Sequence, residues 1–150
     1  MNTNENNEKG RRLHYDDIDA EIYNNLKEEH GPFAKATISD LFSIALIYGL
    51  KMGYRTELLP EGSSIGRVVE SVIDNSYLRH IMMAVAVNEE KSLEAILNIE
   101  NYFIISEEYA KTGLEYLEED FIKNEDELID NMEEEILEIY DNISERLNNL

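Results

Sequence analysis

A chain of 150 residues with 33 acids, 13 bases and a formal charge of −20 is the size of one domain with its own core. Its field repels phosphate backbones and favours basic partners or plain solubility. The absence of cysteine excludes disulfides, thiolate metal sites and cysteine nucleophiles.

Residues 1–10 carry neither a basic start nor an apolar run. They are expected to be a disordered tip rather than a signal peptide, in a cytoplasmic protein. Arg11 to Tyr15 reads as a short strand or an extended lead-in. Asp16 and Asp17 then supply capping oxygens and first-turn negative charge for a helix to about Glu29, with Ile18, Ile22, Tyr23 and Leu26 facing inward. His30-Gly31-Pro32 ends it, because glycine accepts the left-handed cap and proline cannot continue the ladder.

The stretch from Thr37 to Gly53 predicts a central buried helix. Leu41, Phe42, Ala45, Tyr48, Gly49 and Met52 recur on one face, and Ile44, Ile47 and Leu50 fill the opposite side, so that no face is left for water. Thr37 and Asp40 form a capping box, and Gly53 is the stop. Its apolar run of about ten residues is too short for a bilayer, which needs roughly twenty.

A loop follows from Tyr54, with turn chemistry at Glu61-Gly62-Ser63-Ser64. Residues 65–73 are ambiguous: Val68, Val69 and Val72 favour strand, while their spacing favours the short helix adopted here. Tyr77 to Val87 predicts a second apolar helix lying against the first, the two forming the core. Ser92 caps a short helix containing Leu93, Ile96 and Leu97. Residues 101–105 lead to Ser106, where Glu107 and Glu108 suit a helix N-terminus; Tyr109, Ala110, Gly113, Leu114 and Leu117 then share a face. Gly113 costs that helix roughly 1 kcal/mol relative to alanine, which predicts a neighbouring backbone passing close by.

After a break at 123–125, Ile129, Met132, Ile136, Ile139, Ile143 and Leu150 alternate three and four steps, like a coiled-coil seam. That seam folds back on its own domain or joins a second copy or a partner. The class is all-α: a single compact helical domain of five to seven helices. Its parts are the tip at 1–10, a helical core domain at 11–122 and a long acidic amphipathic helix at 123–150.

No catalytic, cofactor or metal residue is predicted. His14, His30 and His80 match no zinc spacing, and no Glu-x-x-His occurs. No serine sits in a nucleophile elbow, and Gly62-Ser63-Ser64-Ile65-Gly66 lacks the lysine of a phosphate loop. Interaction residues are easier to nominate. Glu133, Glu134 and Glu135 with Ile136, Ile139 and Ile143 form the candidate partner-binding face, for a basic protein or a homodimer. Together with Glu118, Glu119 and Asp120, the same acids are also candidates for mimicry of a DNA phosphate array, inhibiting a DNA-binding protein. Arg11 and Arg12, the only adjacent cations, would carry nucleic-acid contact if the opening strand-helix-turn-helix order were a ribbon-helix-helix module. The overall charge argues against direct nucleic-acid binding.

Arg11-Arg12-Leu13, His30-Gly31-Pro32-Phe33, Asp40-Leu41-Phe42 with Ala45, Gly49 and Gly53, then Arg55, and Glu108-Tyr109-Ala110-Lys111-Thr112-Gly113-Leu114 together resemble the Dnd system-associated protein 4 family. The resemblance spans about residues 11 to 122 and leaves the last helix outside it. It implies an accessory, non-enzymatic role beside DNA phosphorothioation and restriction genes that act against foreign DNA. The resemblance brings no catalytic residues to carry over, and the acidic field fits an adaptor that meets a basic DNA-processing protein.

Overall fold

The computed structural model describes residues 11–60, 64–68, 70–74, 76–123 and 125–149. The expected tip at 1–10 and residues 61–63 of the turn expected at 61–64 lie outside the described residues. Two strands, β1 (Leu13–Asp16) and β2 (Ser64–Val68), and six helices are described: α1 (Ala20–Leu26), α2 (Ile38–Met52), α3 (Glu70–Asp74), α4 (Leu78–Glu90), α5 (Ile99–Lys123) and α6 (Glu125–Asn148). The helical class expected from the sequence holds.

Helix α2 starts and stops as its sequence dictates. Thr37 Oγ1 accepts from Asp40 N (3.1 Å), and Thr37 N donates to Asp40 Oδ2 (2.8 Å), the reciprocal box. Gly53 closes the helix at φ +82°, its amide donating to Gly49 O.

The chief partner of α2 is α5, and the two backbones touch. A Cβ on Gly113 would lie 1.7 Å from Ala45 O and 2.5 Å from Gly49 N; one on Gly49 would lie 1.8 Å from Tyr109 O. The close approach expected at Gly113 is therefore present, and Gly49 is its counterpart. Phe42, Ala45 and Leu46 from α2 and Phe103, Ala110, Leu114 and Leu117 from α5 fill the buried core around this crossing. Helix α4 adds Leu78, Met82 and Ala86, but it packs mainly on α5, not on α2 as the sequence suggested.

Several boundaries differ from expectation. Residues 65–73 are not one helix: β2 pairs antiparallel with β1 (His14 opposite Gly66, Tyr15 opposite Ile65), and only then does α3 begin. Their β-branched residues satisfied both patterns, and the partner strand decided between them. Helix α5 starts at Ile99, not after Ser106, with Asn98 Oδ1 accepting from Asn101 N (3.1 Å). Tyr102, Ser106, Tyr109, Gly113 and Leu117 continue one helical face, so Ser106 and Glu107 sit buried in mid-helix. Helix α1 ends at Leu26, and Ile18, in a 3-10 turn at Asp17–Asp19, is exposed. Asp16 makes no capping bond; its carboxylate turns inward instead. The far face of α2 is also less covered than expected, since Ile47 is 52 % exposed.

In α6 only the beginning folds back. Leu128 is buried, Ile129 and Met132 pack against the core, and from Ile136 onward the apolar positions are exposed; Leu150 lies outside the described residues. Among the described residues, no helix is long and apolar enough to cross a membrane.

The glycine crossing gives a direct test. Gly113→Ala raises helix propensity by about 1 kcal/mol but forces two backbones apart, a net loss of about 1–3 kcal/mol or more. Chemical denaturation should show that loss; an unchanged or raised midpoint would mean that the helices separate freely.

Candidate functional site

Most charged side chains nearest the core tie elements together. Arg11 donates to Glu107 through Nη1 (2.7 Å) and Nη2 (3.0 Å), and to Glu100 through Nε (2.9 Å), while its guanidinium lies 5.1 Å from the centre of the Phe103 ring. The His14 amide donates to the same Glu107 (2.7 Å). These bonds clamp the start of β1 onto α5. Arg11 is thus consumed internally, and only Arg12 of the pair is exposed. Strand β1 also pairs within its own chain, whereas a ribbon-helix-helix module uses a ribbon shared between two chains.

A second tie centres on Lys111, whose ammonium donates to Asp16 and, at 3.4 Å, to Asp19. Asp16 also accepts the Leu59 amide (3.1 Å), so one buried carboxylate gathers β1, the 54–60 loop and α5. A third joins Arg55 to Glu108 (3.2 Å) and Glu89 (3.4 Å), with Tyr109 Oη donating to Glu89 (2.5 Å). Thr56 and Thr112 hydroxyls meet at 2.8 Å beside it.

Protonation follows from these surroundings. Burial raises the Glu107 carboxyl above its ordinary value, with Arg11 opposing. Burial likewise raises Asp19, with Lys111 opposing. Lys111 is pulled down by its own burial, but Asp16 and Asp19 outweigh that and hold it above the usual lysine value. Burial, then Arg11, lowers His14. The Arg11, Lys111 and Arg55 ties join elements that are distant in the sequence. Among the described residues, no group of three His, Asp or Glu is placed to hold a metal ion.

The open surface lies around α6. Glu133 and Glu134 are exposed, and Glu135 is half-buried and paired with Lys51 of α2. Ile136, Ile139 and Ile143 are 62 %, 56 % and 52 % exposed. The structure therefore gathers the six nominated residues on one exposed helix, and it adds a wall that sequence reasoning missed. Ile44, Ile47 and Tyr48 of α2 face Met132, Glu135, Ile136 and Ile139 across an apolar trough of about 190 Å³. The isoleucine spacing of α2 carries this signal, but spacing alone does not distinguish an open apolar face from a buried one. On the other side of α6 a polar cleft of about 400 Å³ is lined by Lys51, Asp120, Lys123, Glu127, Glu134 and Glu138. Burial, Asp120 and Glu135 push the hydroxyl of Tyr48, at the junction of the two, up to about 12.

These features define a small acidic helical protein whose inner charges pair across elements and whose last helix is partly uncovered. A family model described as DNA sulphur modification system-associated protein 4 matches residues 12–147, and the chain belongs to that family. The match runs through α6, so the last helix is part of the family pattern rather than an addition beyond residue 122. No curated protein and no solved structure was found to match the chain.

Two outcomes test the ties. Lys111→Met strands two buried carboxylates and should cost about 3–5 kcal/mol; a melting temperature equal to wild type would show that the cluster is solvated. For Glu107, a folded pKa above the ordinary 4.5 means that folding takes up a proton between the two values. Wild type should therefore gain stability relative to Glu107→Gln as pH falls from neutral through the raised pKa towards 4.5. Paired melting curves across that window check the sign, and a relative loss on acidification would reverse the assignment.

Proposed function

We propose that the chain is a non-enzymatic accessory protein of a DNA sulphur-modification and restriction system directed at foreign DNA, working by contact with a basic DNA-processing protein. The observation that carries this reading is α6, which bears ten acids against one base, Arg146, beside an exposed apolar stripe. Charged groups of one sign steer a partner of the other, and a central apolar patch holds it. Family membership supplies the setting.

A second reading, an acidic decoy that occupies a DNA-binding groove, is favoured by one feature. Glu134, Glu138, Asp141 and Glu145 recur at three- and four-residue steps, forming a row of carboxylates along one face of α6.

Tagged chain purified at low salt from its native cells should retain a protein encoded with the sulphur-modification genes. Recovery of none of them would overturn the accessory reading. Added duplex DNA should leave that complex intact, whereas displacement of the partner by DNA would make the decoy reading the better one. Replacing Glu133, Glu134 and Glu135 with glutamine should weaken the complex and flatten its salt dependence.

A further inference from the structure

We propose that the trough between α2 and α6 is a receptor for an amphipathic helix with a basic outer face, belonging to the partner protein and not to a second copy of this chain. The inference rests on the accessory reading and names the partner's contacting element.

The trough has two helical walls and an apolar floor. Ile47 on α2 and Ile136 on α6 stand 52 % and 62 % exposed on opposite sides, with Met132 between them. A cavity of about 150 Å³ accepts a benzene ring, so about 190 Å³ of open trough takes one large apolar side chain. Beyond it the stripe runs on through Tyr140, Ile143 and Leu147, all exposed. That gives several turns of helix at three- and four-residue spacing, the geometry by which a groove reads the apolar face of a docked helix.

Charge chooses the occupant. By helical spacing Glu133 and Glu135 border the stripe on either side. The whole of α6 carries ten acids and one base, a net −9. A second copy would set this helix against its own like and bring carboxylates onto carboxylates along the seam, which is destabilising. A lysine- or arginine-flanked helix meets the exposed Glu133 favourably, while Glu135 on the other border is already paired with Lys51.

The probe is a fluorescein-labelled synthetic helix of about eighteen residues, roughly five turns, with leucines at helical spacing and lysines elsewhere. A twin peptide with glutamates in place of the lysines serves as control. Anisotropy with the full chain should show binding of the lysine peptide alone, weakened about tenfold or more by Ile47→Asp and by Ile136→Asp. Both sites are exposed, so melting temperatures should stay at the wild-type value. Leu97→Asp, in an exposed apolar position elsewhere, should leave binding unchanged. No binding by wild type, equal binding by all variants, or equal damage from Leu97→Asp would overturn the proposal. So would a dimeric mass by light scattering that Ile136→Asp returns to monomer, since the second copy would then be the occupant. Failure here with a native complex still recovered moves the contact elsewhere on the chain. Success here with no native complex sinks the accessory role and keeps the receptor.

Discussion

The structure depends on one contact in which side chains take no part: the backbones of α2 and α5 meet at Gly49 and Gly113. Helices normally stand 8–10 Å apart because side chains intervene; removing both Cβ atoms lets these two approach until an added methyl would overlap a carbonyl oxygen. Everything else is arranged around that crossing. Phe42 and Leu46 on one helix and Phe103, Leu114 and Leu117 on the other fill the space above and below it. α4 packs mainly on α5 and also touches α2, and β1 is held to α5 by side chains.

Placing α5 so deep has an electrostatic consequence. Glu107 and Lys111 are buried or nearly so on a helix that also faces the core, and each charge needs a partner brought from far along the chain. Arg11, Asp16 and Asp19 supply them from the N-terminal segment. Burial of such groups is costly unless the pairing is complete, so the paired charges fix which segment lies against α5 more than they add to its stability. Several of the residues by which the chain resembles its family take part in these contacts, among them Arg11, Gly49, Arg55, Glu108, Lys111 and Gly113. They mark how the fold is locked, and the exposed chemistry lies elsewhere, on α6 and the outer face of α2.

That division explains the acidic surface. Inner acids are matched by cations, whereas α6 has ten acids and a single base, Arg146, and so carries a net −9 of the chain's −20. Lys51, by pairing with Glu135, pins α6 to α2 at one point. The helix leaves the core past that point, and its remaining isoleucines stay in contact with water.

The sequence by itself determined the helical class, the caps of α2, the close approach at Gly113 and the position of the acidic amphipathic tail. Each of these follows from spacing along one element or from the conformational demands of one residue. Tertiary structure alone decided which helix passes Gly113 and where α5 begins. It also decided that 64–68 becomes a strand, that Arg11 is spent on Glu107, and that Ile44 and Ile47 face an open trough. These outcomes depend on what lies opposite a residue. Periodicity shows that a face is apolar, but only the packed chain shows whether another element covers it.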